Sequence, residues 1–510
     1  MKETNDLWEL VQTLTKSEKR YIQMEFRPGS LQEELFKAIG KQDEYDQEGL
    51  YKAFPKESPT HIRAMQQYLL KTIFKRLRSF YSGASADILL NEYLTEVEIL
   101  FNKGLIRQCF KTLEKGKKIA YDYERYEHLD RFITFEERLN FVVSDFKKAK
   151  DYFTQYKEEC RLLREKLDNI GSTRELFHRV YTITKNIGYS RNLNDRDKLK
   201  DIIEKHPLLQ TPDTLKSLRA KSNYYLTKIF YSHSVGQFQE CYKYSKEYAE
   251  LTRKQSNLMP EEYAVLMVPP LHNLILCQAH LKKYDELEQT LKEFRSLEAK
   301  AFSIENRIFS VSYSIELDMD VSTGQFERID NIIDEINTGL TKYRRVVDKE
   351  TYRAICYNTA YMYFGIAKYD KAMHWINKIL NDAGEEKRED IYCFAQIIKL
   401  IMLFEMEDED YMDSILRSTY RYLFKRQRLY KFETIVLKFI QRQLSLRKKP
   451  DMKAELEDIY KTLQTLFEDP HERVVLEYFN FMAWLESKIT RRTFGEIVKE
   501  NARTALMKRA

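Results

Sequence analysis

Residues 368–380 read Lys368-Tyr369-Asp370-Lys371-Ala372-Met373-His374-Trp375-Ile376-Asn377-Lys378-Ile379-Leu380. From Ala372 the apolar side chains fall at Trp375, Ile376 and Ile379, the i, i+3, i+4, i+7 spacing that lines one face of a helix. Tyr369, three residues earlier, marks where that helix begins. The same register follows Phe326, as Ile329, Ile332, Ile333 and Ile336, and Phe238, as Cys241, Tyr244, Ser245 and Tyr248. It follows Phe146, as Ala149, Tyr152, Phe153 and Tyr156, and Ile106, as Cys109, Thr112, Leu113 and Gly116. Tyr284 leads to Leu287, Leu291 and Phe294, and Tyr411 opens a weaker copy.

The markers Phe238, Tyr284, Phe326, Tyr369 and Tyr411 follow one another at 46, 42, 43 and 42 residues, and Ile106 precedes Phe146 by 40. A step of 92 from Phe146 to Phe238 leaves room for one degenerate unit, placed at Leu199, Ile202, Ile203 and His206. A second apolar helix precedes each marker, as at Ala354, Tyr357, Ala360, Tyr361 and Phe364, and short turns such as 234–237 and 322–325 close it. Each unit is thus expected to be a helical hairpin. A lone hairpin cannot bury its apolar face, so stacking of neighbours into a solenoid with a continuous core is the expected outcome.

Gly236-Gln237-Phe238-Gln239-Glu240-Cys241, Gly324-Gln325-Phe326-Glu327-Arg328-Ile329, and Ala360 and Tyr363 followed by Lys368-Tyr369-Asp370-Lys371-Ala372, resemble the tetratricopeptide repeat, whose inter-helix turn carries Gly-x-Tyr/Phe-x-x-Ala. The resemblance covers roughly residues 91–430. It departs from the family in a period above the usual 34 and in the replacement of the glycine at Lys282 and Ala367. The opening Leu14-Thr15-Lys16-Ser17-Glu18-Lys19-Arg20 is also similar to the start of uncharacterised bacterial helical-repeat proteins. The resemblance implies an all-α chain, a right-handed α-solenoid of stacked long-repeat helical hairpins with a helical N-terminal cap.

It also implies that the first helix of each hairpin lines a concave surface for a peptide or helix of a protein partner. Mapped onto this chain, that surface takes Asn223 and Phe230 from one unit and His272, Asn273, Leu276 and His280 from another. Tyr357, Asn358, Tyr361 and Phe364 come from a third. Asn273 and Asn358 occupy matching points, where an amide offers both donor and acceptor to a partner's backbone. Aromatic stripes at helical spacing are also ordinary core, so Tyr357 and Tyr361 suit either role.

Composition agrees with helices. The chain has 510 residues with 14 Gly and 10 Pro, too few turn formers for a many-stranded sandwich or barrel. Its 43% hydrophobic residues, with 35 Tyr and 29 Phe, exclude a disordered chain. Residues 1–90 stand outside the repeat and form a cap or small helical domain, residues 91–430 the repeats, and residues 431–510 basic helical pairs with a terminal capping helix. Within the head, Thr15 and Glu18 have capping-box spacing, and Ser58-Pro59 suits the start of a helix running to about Phe80.

Six cysteines at 109, 160, 241, 277, 356 and 393 form no CxxC pair and read as buried apolar residues of a reducing compartment. The N-terminus lacks the apolar run of a signal peptide. The most apolar stretch, residues 391–404, is interrupted by Gln396 and Lys399 and is too short to span a bilayer, so no membrane insertion is expected and the chain is placed in the cytoplasm. Glycine loops for phosphates, HExxH and GxSxG are missing from the sequence, and His272 and His280 are eight residues apart. No catalytic residue, metal or cofactor is therefore assigned.

Charge marks two further places where nucleic acid is the alternative partner. Between Arg417 and Lys449 eleven Lys and Arg face Glu433 alone, and Arg417, Arg421, Lys425 and Arg428 share one helical stripe. The acidic Glu405, Glu407, Asp408, Glu409, Asp410 and Asp413 lie just upstream and offer internal compensation. In the head, residues 31–39, 46–54 and 58–80 fit three helices of a helix-turn-helix-like arrangement. His61, Arg63, Gln66 and Gln67 would open its third helix, with Lys71, Lys75, Arg76 and Arg78 further on.

Overall fold

The computed structural model describes residues 5–143, 146–187, 199, 201–210, 212–344, 346–381, 389–425, 429–445 and 452–507. Among the described residues every regular element is a helix, and none is long and apolar enough to cross a membrane. The chain divides into two units, Met1–His178 with Pro207–Tyr224, and Arg179–His206 with Tyr225–Ala510.

The first unit opens with α1 (Asp6–Thr13), α2 (Lys16–Gln23), α3 (Leu31–Gly40), α4 (Gln47–Ala53) and α5 (Pro59–Phe80). Both expected caps form: Thr15 and Glu18 close a reciprocal capping box, and the Ser58 hydroxyl accepts from the His61 amide with Pro59 in the first turn. α5 packs on α1, α2 and α3, burying Ile62, Leu69 and Ile73 among Val11, Ile22, Leu35 and Ile39. Next come α6 (Ala86–Asn102), α7 (Ile106–Asp122) and α8 (Tyr126–Val143), with α7 packed on both its neighbours. Gly116 lets α7 meet α8 closely, since a Cβ there would stand 2.4 Å from the Phe132 ring.

After Phe146 the structure departs from the repeat in helix length. Phe146 opens α9 (Phe146–Ile187), which lies back on α8 through the Phe141 and Phe153 rings at 5.5 Å and Tyr156 Oη donating to Glu137 at 3.0 Å, but α9 runs on as one helix of 42 residues, far past the length of a repeat helix. Gly171 stays within it and takes no left-handed turn. Around the unit expected at Leu199, Leu199 and Ile203 are buried, while residues 188–198 and 200 lie outside the described set.

From α10 (Leu218–Ser234) onward the repeat governs the chain: α11 (Phe238–Arg253), α12 (Pro260–His280), α13 (Tyr284–Arg295), α14 (Phe302–Thr323), α15 (Ile329–Lys342), α16 (Lys349–Gly365), α17 (Tyr369–Leu380), α18 (Glu389–Glu405) and α19 (Glu409–Lys425). Successive helices from α11 to α14 pack on one another, as do those from α14 to α19. Alternate helices also touch in the series α12, α14, α16 and α18, so these long helices form one layer. The stripe that opened the sequence reading is core: Ala372, Trp375, Ile376 and Ile379 are all buried. Cys241 and Cys277, 36 residues apart, meet between α11 and α12 with their sulfurs 2.7 Å apart, a proximity their spacing did not announce.

One backbone device recurs, from α10 onward at alternate reversals, those within a hairpin; the links at 254–259 and 296–301 lack it. Two residues before a helix begins, the chain adopts a left-handed conformation, at Gly104, Glu124, Gly236, Lys282, Gly324, Ala367 and Glu407, with φ between 50° and 77°. The amide that follows reaches back to a carbonyl five residues earlier: Gln237 to Ser232 at 2.8 Å, Lys283 to Gln278 at 2.9 Å, Gln325 to Asp320 at 2.8 Å, Lys368 to Tyr363 at 2.9 Å. This Schellman-type closure satisfies carbonyls that a helix end leaves open. The markers Phe238, Tyr284 and Tyr369 are each the first residue of the next helix, while Phe326 opens a short 3₁₀ turn that runs into α15.

Past α19 the chain continues through α20 (Lys431–Ser445), α21 (Met452–Leu466), α22 (Phe481–Thr490) and α23 (Phe494–Met507). α22 packs on α21 and α23, and α23 returns to lie on α14.

The left-handed turns give a test with opposite signs. Ala367 is exposed and strained at φ 57°, so Ala367→Gly should stabilise the protein by about 1 kcal/mol in denaturant titrations. Gly324→Ala should cost about 2 kcal/mol or more, because the added Cβ would stand 2.7 Å from the Lys499 amide nitrogen.

Candidate functional site

The residues expected to line a partner surface separate into three environments. Asn223 lies in the first unit, where its amide donates to Thr173 Oγ1 at 3.3 Å. Phe230 belongs to the second unit and is half-buried with its ring edge-on to Tyr181 at 5.2 Å.

On α16, Tyr357, Tyr361 and Phe364 are not open to a partner, because residues 478–494 of the same chain cover them. Tyr357 Oη donates to the Tyr478 carbonyl at 3.2 Å, and Tyr361 Oη accepts from the Asn480 amide at 2.9 Å. Burial pushes the Tyr361 phenol well above its ordinary pKa, keeping it neutral. Phe479 and Phe494 stack in parallel at 5.5 Å, and the Phe364 ring meets both edge-on, at 5.1 and 5.3 Å. Offset and edge-on pairs are the favoured aromatic geometries, so this cluster combines area burial with ring electrostatics. Asn480 Oδ1 accepts from the Ala483 amide at 3.0 Å and so caps α22 where it begins. A polar anchor holds the other side: the Glu405 side chain, 5% exposed, accepts from Trp484 Nε1 at 2.8 Å and from Tyr369 Oη at 3.1 Å, and pairs with Lys488.

On α12 the expected residues remain accessible. Leu276 is 39% exposed and His280 is exposed, with Val265, which sequence reasoning missed, on the same side of the helix at 43%. His272 is half-buried and its Nδ1 faces Arg307 at 3.1 Å. Burial, reinforced by the Arg307 guanidinium, lowers its pKa to about 4, so the ring is neutral and Nδ1 accepts. The His280 ring lies 3.5 Å from that of Phe238 on α11.

Asn273 and Asn358 are not equivalent, contrary to their matching positions. Asn273 Nδ2 donates to the Pro269 carbonyl at 2.8 Å, so its donor is used inside its own helix, next to the prolines 269 and 270. The half-buried Asn358 side chain makes no hydrogen bond among the described residues.

The basic stripe is partly compensated. Arg417, Arg421 and Lys425 are exposed on α19, while Arg428 lies outside the described residues. Arg417 pairs with Asp413 at 2.7 Å, and Arg421 Nε donates to the Arg417 carbonyl at 3.3 Å. Of the upstream acids, Glu405 points into the core contact with Lys488, and Asp408 accepts from the Tyr411 amide in the first turn of α19.

A carboxyl that titrates near neutrality is an obvious place to look for catalysis. Burial raises the Asp320 pKa to about 7, against the pull of Arg328 at 3.2 Å. Its side chain is fully enclosed, away from any open surface where a substrate could reach it, at the turn that ends α14. Among the described residues no group of three or more His, Cys, Asp or Glu is gathered to hold a metal.

Two outcomes follow. Phe479→Ala removes the ring joining Tyr361, Phe364 and Phe494 and should cost about 3–5 kcal/mol in chemical denaturation, as for other fully buried phenylalanines. Because the His272 pKa is depressed in the folded state, the unfolded chain binds the extra proton between about pH 6.5 and 4, and stability falls as pH drops through that window. His272→Gln, which keeps an acceptor for Arg307, should therefore narrow the difference in Tm between pH 7 and pH 4.5.

No protein-family model, curated protein or solved structure matches the chain.

Proposed function

We propose that this protein is a noncatalytic binding scaffold, a long-repeat helical-hairpin solenoid that takes an amphipathic helix or peptide of a partner protein on the exposed face of α12. The observation that carries the reading is the contrast between α12 and its successors in the same layer. α14 and α16 are covered by the chain's own 478–507 segment, an aromatic-rich stretch containing two short helices. That packing supports the view that these long helices accept a helical segment laid across them. α12 carries the corresponding chemistry uncovered: Val265 and Leu276 supply apolar contact, and His280 and neutral His272 supply hydrogen bonding at its edge.

The order of elements supports the solenoid, since the long helices α12, α14, α16 and α18 touch one after another.

A photo-crosslinking amino acid placed at Leu276 in the native cells tests the proposal. The expected result is a discrete protein adduct, mapped to an amphipathic segment, that disappears when Val265 is replaced by Asp. A probe at Phe364 should give only a link to the chain's own C-terminal segment. Adducts to nucleic acid alone at Leu276, or a Leu276 adduct indifferent to Val265→Asp, would contradict it.

A further inference from the structure

We infer that α5, in the N-terminal head, carries a separate binding site for single-stranded nucleic acid. α5 is 22 residues long, about 33 Å, and contains Arg63, Lys71, Lys75, Arg76 and Arg78 with no Asp or Glu. Two of these cations are spent inside the head. Arg76 pairs with Glu25 at 3.1 Å and lies over the Tyr21 ring, and Arg63 Nε donates to Tyr51 Oη at 2.7 Å. The start of the helix is likewise committed, with His61 bonded to Glu57 at 2.5 Å and Gln66 to Gln47 at 3.1 Å.

The remaining cations differ. Lys71, Lys75 and Arg78 are exposed and have no ion pair or hydrogen bond among the described residues. They fall at i, i+4 and i+7, opposite the buried line of Ile62, Leu69 and Ile73, and span about 10 Å along the axis. Tyr68 and Phe74 share that face at 55% and 48% exposure. The result is an acid-free strip in which two aromatic faces alternate with three unpaired cations.

The chemistry of the strip selects its occupant. A protein partner would place Lys71 and Lys75 at the centre of the interface, where lysine is depleted. A bilayer would need a broad apolar face, and the apolar face of α5 is already buried against α1, α2 and α3. A duplex would satisfy the cations but hold its bases stacked away from the rings. A single strand uses both sets: phosphates neutralise Lys71, Lys75 and Arg78, and unstacked bases lie on Tyr68 and Phe74. The superficially similar strip on α19 lacks this availability, because Arg417 is paired with Asp413 and the Tyr420 and Phe424 rings stack on each other at 6.2 Å.

Fluorescence anisotropy of the full-length protein decides the matter. The probes are a labelled 12-nucleotide oligo(dT), a 12-base-pair duplex, an oligoglutamate peptide and phosphatidylserine vesicles. The expected result is preference for the single strand, with a log-log salt slope near about −2 for three phosphate contacts. The variant Lys71→Gln/Lys75→Gln/Arg78→Gln should lose at least tenfold in affinity and flatten the slope. Tyr68→Ala/Phe74→Ala should lose about tenfold or more at every salt concentration with the slope unchanged. The variant Arg417→Gln/Arg421→Gln/Lys425→Gln should bind as wild type. All replaced side chains are exposed, so circular dichroism and Tm should not change. Equal or tighter binding of the duplex, the peptide or the vesicles would overturn the proposal, as would loss of binding only in the α19 variant or no binding at low salt.

Discussion

The left-handed turn that ends the first helix of a hairpin is the constraint on which the repeat depends. With φ fixed near 60–75° and the next amide bonded five residues back, the exit direction of the chain is set before the following helix begins. The first residue of that helix is then placed in the same relation to the preceding helix each time, which is why a ring recurs at Phe238, Tyr284 and Tyr369. Glycine adopts this conformation without a steric penalty. Lys282, Ala367 and Glu407 adopt it with a Cβ, so hydrogen bonding and packing at those turns outweigh the local strain.

Closure of the second unit rests on contacts of a different kind. Tyr357 and Tyr361 bond to the backbone at 478–480, some 120 residues away in sequence, and Phe494 lies among Phe326, Tyr361, Phe364 and Phe479. These are fully packed side chains with their polar atoms satisfied, which is how core is built. The faces of α14 and α16 are occupied in cis, and the proposed partner surface moves to α12 for that reason.

Much of the fold was legible because helical periodicity and turn chemistry are local. The register after Tyr369 and Phe238, the capping box at Thr15 and Glu18, and the Ser58-Pro59 start of α5 all appear where expected. Periodicity identifies a buried face but not what buries it, so Tyr357 and Tyr361 could be placed on a stripe without naming the residues that cover it. The density of rings at Phe479, Phe481, Trp484 and Phe494 was the available signal. At Phe146 the marker again opens a helix, but the 42-residue length of α9 was not legible, because apolar spacing gives the buried face of a helix and not its end. On α5 the cations were visible in sequence. Their division into spent and free required Glu25 and Tyr51, which come from other helices.

Hydrogen exchange on the intact protein tests most directly whether the C-terminal segment is part of the fold. The account predicts that amides in 355–364 and 481–490 exchange together, as slowly as those of α17, through the same cooperative opening. Fast local exchange across 478–507 with α16 and α17 still protected would contradict it. The segment would then be a detachable cover, and the aromatic face of α16 an open groove.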